Sequence, residues 1–256
     1  MARTSDGKDI IPGCEPWSSA GGRDGVLVLH GFTGSPQSVR GLAEAFAAAG
    51  FTVELPRLPG HGTSVDDMLT TTWDDWTATA EQAYEALAAR CDRVLVAGLS
   101  MGGTLTLWLA ARHPDIAGIV CVNPLIDVTD PVADFARQAI ESGSDRIDSI
   151  GNDVADPAAR EKAYEATPLA PLLSLHAAAV ALRPELGRVT SPLLLLTSPQ
   201  DHVVRPVDSD AIAAAVSGPV ERVALERSFH VATLDYDKDL IEERAVAFAR
   251  KLTPAS

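Results

Sequence analysis

One serine between glycines, one histidine in a late polar loop and one aspartate beyond an apolar run are the residues through which this chain could do chemistry. Gly98-Leu99-Ser100-Met101-Gly102 spells GxSxG. The apolar, β-branched run 93–97 precedes it, and the buried-helix composition of 104–112 follows without a break and stops ahead of Pro114. A serine on so tight a strand-to-helix turn is held in a strained conformation with its hydroxyl above the sheet edge. A Cβ at Gly98 or Gly102 would collide with the neighbouring backbone. Such a hydroxyl attacks an acyl carbonyl only when a base takes its proton and a third group orients that base.

Six histidines compete to be the base. His230 ends the polar stretch Glu226-Arg227-Ser228-Phe229-His230 after the last apolar run, where a loop can bring an imidazole over the serine turn. His30 and His61 sit beside glycines in tight turns and are expected to make structural hydrogen bonds. His113 caps the helix after the serine, His176 lies in a helix, and His202 adjoins the candidate acid and helps fix its loop. Asp201, in Thr197-Ser198-Pro199-Gln200-Asp201-His202, is the preferred acid. Asp127, just beyond the run 116–122, is its rival, while Asp208, Asp210 and Asp235 read as solvated or helix-start charges. The oxyanion formed on attack needs two donors. The Met101 N–H, at the positive start of the helix, is one. The Phe32 N–H, which Gly31 lets the backbone turn towards the same point, is the other.

These residues need elements to carry them. Apolar runs at 26–30, 51–55, 93–97, 116–122 and 193–197, with a weaker one at 220–225, predict strands. The segments 36–50, closed by Gly50, and 73–90 predict helices. Strands alternating with helices imply a mostly parallel sheet covered on both faces, with ligands bound beyond the carboxyl ends of the strands. The stretch 126–188 breaks this rhythm with polar turns, helical pieces and no clear strand. It predicts a helical cap inserted into a core formed by 1–125 and 189–256.

Composition narrows the function. Against 21 basic residues stand 35 acidic ones, a formal charge of −14 that argues against nucleic acid and against electrostatic docking on anionic lipid. Cys14, Cys91 and Cys121 show no CxxC spacing, so a disulfide framework is not expected, and no histidine pair has metal-ligand spacing. The first 17 residues are polar, and no segment reaches the ~20 apolar residues a bilayer span needs. The chain therefore reads as cytoplasmic.

With these residues placed, the chain resembles the α/β-hydrolases, and among them the bacterial monoacylglycerol lipases and their carboxylesterase relatives. The resemblance rests on Leu27-Val28-Leu29-His30-Gly31-Phe32-Thr33-Gly34, Leu55-Pro56-Arg57-Leu58-Pro59-Gly60-His61-Gly62-Thr63 and Gly98-Leu99-Ser100-Met101-Gly102-Gly103-Thr104-Leu105. Asp201-His202-Val203-Val204 and His230-Val231-Ala232-Thr233-Leu234-Asp235-Tyr236-Asp237 extend it. It implies an α/β-hydrolase fold with a cap, a monoacylated glycerol as ester substrate and no cofactor. It also implies that Ile150 and Glu161 of the cap bound the glycerol end of the pocket. The rivals are a broader short- to medium-chain carboxylesterase and a small-molecule receptor that keeps the triad. Leu172, Leu173, Leu175 and Val180 form an apolar stripe that either packs internally, admits the acyl chain or touches a lipid surface in passing. The oligomeric state is left open.

Overall fold

Runs of Val and Leu that are apolar at every position need cover on both faces, and the sheet they build has it. The computed structural model describes residues 2–126, 130–149 and 152–253. In chain order β1 (Trp17–Ser19), β2 (Asp24–Leu29), α1 (Arg40–Ala48), β3 (Thr52–Leu55), α2 (Val65–Met68) and α3 (Trp73–Ala88) lead into β4 (Arg93–Leu99). Then come α4 (Met101–Ala110), β5 (Gly118–Val122), α5 (Asp130–Glu141), β6 (Arg146–Asp148), β7 (Ala166–Pro168) and α6 (Leu169–Leu182). The chain finishes with β8 (Leu193–Thr197), α7 (Pro206–Ala215), β9 (Val220–Ala224) and α8 (Lys238–Leu252). Seven strands pair in the order β1-β3-β2-β4-β5-β8-β9. Only the edge strand β1 runs antiparallel. This is the α/β-hydrolase fold.

The period of two along each strand divides the core. Leu27, Leu29, Val94, Val96, Leu193 and Leu195 pack with Trp76 of α3 and Leu105 of α4 on one face. Their neighbours Val26, Val28, Leu95, Ala97, Leu194 and Leu196 pack with Phe46 of α1 and Phe248 of α8 on the other. Gly50, at φ 98°, ends the turn after α1 as predicted. The parallel strands finish at one rim, and the loops carrying Phe32, Ser100, Asp201 and His230 leave from it.

Two regions differ from the sequence expectation. The insertion between β5 and β8 contains a short ribbon as well as helices, with Arg146–Asp148 pairing antiparallel with Ala166–Pro168. Strands of three residues have no alternation to read, and these pair only with each other. The edge strand β1 was hidden for the same reason. The weak 220–225 signal is strand β9, whose residues are half-exposed or exposed at the other edge of the sheet.

Candidate active site

Strand β4 passes into helix α4 through Ser100 alone, at φ 56° and ψ −119°. A non-glycine residue in that region is strained, and persists only where its surroundings over-determine it. Here they do. An ideal Cβ on Gly98 would lie 2.1 Å from the Gly102 carbonyl oxygen, and one on Gly102 would lie 2.1 Å from the Leu29 carbonyl oxygen. The Ser100 N–H donates to the Val122 carbonyl at 2.9 Å, which ties the turn to the end of β5.

The candidate base and acid meet above this turn. His230 Nδ1 lies 2.7 Å from Asp201 Oδ2, and both side chains are almost fully buried. The other carboxylate oxygen, Oδ1, accepts the Val203 and Val204 N–H groups at 2.8 Å each. A proton on Nδ1 facing a carboxylate leaves the Nε2 lone pair free to act as base. Among the described residues Ser100 makes no hydrogen bond to His230. The two line one cavity, and such contacts tighten when substrate binds. The rival acid Asp127 lies outside the described residues, as does Ile150.

The peptide of one candidate oxyanion donor, Phe32, is oriented by a histidine. The buried His30 ring accepts the Leu58 N–H on Nε2 at 3.1 Å, so its proton sits on Nδ1 and is donated to the Gly31 carbonyl at 3.0 Å. In a trans peptide, that carbonyl and the Phe32 N–H point in opposite directions. Among the described residues neither the Phe32 nor the Met101 N–H donates to a protein acceptor. Gly31 itself is close to Ser100, an ideal Cβ there lying 3.4 Å from the Ser100 Cβ.

A cavity of about 290 Å³ opens beside these groups, lined by Phe32, Ser100, Glu161, Leu172, Leu175 and His230 among others. Burial pushes the Glu161 carboxyl up from its ordinary value, while His230 and the Ser38 hydroxyl pull it back. Its Oε1 sits where a side chain on Gly34 would go, 2.6 Å from an ideal Cβ. The apolar stripe of α6 divides: Leu175 is buried against the cavity, Leu172 lines it half-buried, and Val180 is 60% exposed.

Four polar residues hold this arrangement without having stood out in the sequence as site residues. Asn123, in the left-handed region at φ 45°, donates from Nδ2 to the His230 carbonyl at 2.8 Å and accepts the Ser198 N–H at 2.8 Å. Its signal was an asparagine, tolerant of that conformation, directly after an apolar run. Asp235 is not a solvated charge. It is 1% exposed and accepts the N–H groups of Phe229, Ala155, Asp156 and Tyr236. Asp208 does stand in the first turn of α7, but it too is buried, accepting the Ile126 N–H at 3.0 Å. Asp153 joins the loops of His202 and His230. Asp210 pairs with Arg222 at the surface, as expected of a solvated charge.

Of the other histidines, His113 turns to Glu81 at 2.5 Å rather than back to its helix. His176 is buried in α6. His61 bonds the Pro59 carbonyl at 2.9 Å, among Phe32, His30 and Trp76. Burial takes His61 down from its ordinary 6.5 to about 4. Between these values the unfolded chain binds a proton that the folded chain refuses. The contribution is therefore intact above pH 6.5 and lost as pH falls to 4, by roughly 3 kcal/mol in all. Urea unfolding across that range should show His61→Gln with a slope of stability against pH about one proton shallower than wild type. An unchanged slope would remove His61 as the source.

Among the described residues no helix is long and apolar enough to cross a membrane. A family model described as serine aminopeptidase, S33, matches residues 22–237. The chain belongs to that family. This hydrolase is 46% identical over 246 residues to a thermostable monoacylglycerol lipase of Bacillus sp. (strain H-257), covering 94% of this chain and 96% of the relative. It is 27% identical to a carboxylesterase of Bacillus subtilis (strain 168), over 93% of this chain and 97% of that one. A solved structure from work on LipS and LipT, two metagenome-derived lipolytic enzymes, superposes with a TM-score of 0.91 at 43% identity, covering 95% of this chain and 100% of the other.

Proposed function

We propose that this hydrolase cleaves the ester bond of monoacylglycerols, releasing glycerol and a free fatty acid through an acyl-enzyme on Ser100. The observation that carries the reading is a half-buried carboxylate, Glu161, in the same cavity as Ser100 and His230. The 46% identity to a monoacylglycerol lipase along nearly the whole chain supports it. A carboxylate beside the reacting centre accepts hydrogen bonds from glycerol hydroxyls, which a simple alkyl ester lacks. Residues 126–188 act as the cap, with Glu161 at the glycerol end and Leu172 and Leu175 along the acyl chain. The lipid source is met through a transient surface contact of the cap, where Val180 is exposed. The free thiols of Cys14, Cys91 and Cys121 fit a cytoplasmic site of action.

His230 Nε2 takes the Ser100 proton as Oγ attacks the ester carbonyl, and the Phe32 and Met101 N–H groups receive the oxyanion. Each such donor lowers the barrier by about 3 kcal/mol. His230 then gives the proton to the departing glycerol oxygen. Water deprotonated by the same nitrogen attacks the acyl-enzyme, and the proton passes to Ser100 Oγ as the fatty acid leaves.

The test pairs monolauroylglycerol with methyl laurate. Wild type should prefer the glycerol ester, and Glu161→Gln should lower kcat/KM for it by about 10- to 100-fold, the range for losing hydrogen bonds to a charged group. The methyl ester should be hydrolysed nearly as before. Equal rates on both esters in wild type, unmoved by the substitution, would replace this reading with the broader carboxylesterase. A single burst without steady turnover would replace it with a receptor.

A further inference from the structure

One side chain of the insertion grips both catalytic loops at once. Asp153 Oδ2 accepts the His230 backbone N–H at 3.0 Å and the His202 backbone N–H at 3.2 Å. Its Oδ1 lies 2.8 Å from His202 Nδ1, and its own carbonyl accepts the Val231 N–H at 3.1 Å. These partners belong to two loops, one after β8 that bears Asp201 and one after β9 that bears His230. The Asp153 side chain is only 11% exposed, so the contacts are sheltered from water. Asp235 reinforces the same junction, joining Ala155 and Asp156 to Phe229.

We propose that Asp153 is a positioning residue for the ester hydrolysis inferred above, on which this proposal rests. It fixes the main chain of His230 and locks the Asp201 and His230 loops to each other. The peptide groups of His230 are then held from two directions. Asn123 of the core takes the carbonyl, and Asp153 of the insertion takes the N–H. With both held, the backbone at residue 230 cannot rotate without breaking a buried hydrogen bond, and the imidazole stays at its 2.7 Å contact with Asp201. With the carboxylate gone, the N–H is left to water and the ring is free to drift. A misplacement of about 1 Å in a reacting group lowers the rate about 100-fold.

The substitutions that test this are Asp153→Ala and Asp153→Asn, assayed on monolauroylglycerol with rates expressed per serine titrated by a fluorophosphonate, so that unfolded chain drops out. Asp153→Ala should lower kcat about 10- to 100-fold with KM within about twofold, because the ring and not the substrate pocket is disturbed. Asp153→Asn should recover to within about threefold of wild type. Its amide oxygen can accept both backbone N–H groups and its nitrogen can donate to the other tautomer of His202. Asp153→Ala at the wild-type kcat would overturn the proposal. So would an Asn variant as slow as Ala, since the negative charge and not the grip would then be what matters. Wild type that takes no label at Ser100, or takes it and turns over no ester, would sink the hydrolase reading itself instead.

Discussion

Ser100→Ala should lower kcat for ester hydrolysis roughly a million-fold, Asp201→Asn about ten-thousand-fold, and the double variant no further than Ser100→Ala alone. The non-additivity follows from the three groups acting as one unit: without a hydroxyl there is no proton for an oriented imidazole to take. The size of the Asp201→Asn effect follows from local geometry. Oδ1 accepts two backbone N–H groups, from Val203 and Val204, so an asparagine must keep its oxygen there. Its NH2 group then falls at the Oδ2 position, 2.7 Å from His230 Nδ1, and donates to it. That moves the ring proton to Nε2, where the lone pair was needed. Initial rates on monolauroylglycerol, with thermal unfolding run in parallel, measure the three variants. An Asp201→Asn enzyme within tenfold of wild type would mean that another carboxylate orients the ring.

The parts of the site that could be read from sequence are those whose function imposes a local backbone demand. Glycines flank Ser100 because main-chain atoms pass within reach of any Cβ there. A glycine follows His30 where the chain passes close to Ser100. Asp201 and His230 stand just past apolar runs because strand ends are where side chains can converge. The residues that went unread are acceptors for distant main-chain N–H groups. Asp153 is 77 positions from His230 and Asp235 is 80 from Ala155, and nothing in the type of a carboxylate says which peptide it will serve. Asp235 in particular lies in a stretch dense with acids, where a charged residue is ordinarily solvated, yet it makes four hydrogen bonds in the interior. Buried N–H groups in irregular loops must find partners somewhere, and two converging catalytic loops create several such groups together. The short β6–β7 ribbon escaped for a different reason, since three paired residues leave no periodic trace.

Gly102→Ala should damage folding and catalysis together, lowering the melting temperature by roughly 5–10 °C and kcat about 100-fold. The added methyl would stand 2.1 Å from the Leu29 carbonyl oxygen, 2.6 Å from its carbon and 2.8 Å from the His30 carbonyl oxygen. All three are main-chain atoms of β2 and its exit, so no rotamer change can make room. Either α4 lifts off the sheet or the end of β2 is pushed aside. The first displaces Ser100 and the Met101 N–H, and the second displaces the Gly31–Phe32 peptide. Both relaxations spoil the alignment of Ser100 with the Met101 and Phe32 N–H groups, so stability and rate fall from one cause. Gly187→Ala is the control, because a Cβ there meets nothing nearer than the Ala215 carbonyl at 3.8 Å. That variant should stay within about 0.5 kcal/mol of wild type. A Gly102→Ala enzyme that melts and turns over like Gly187→Ala would show that the turn does not require the close approach of α4 to β2.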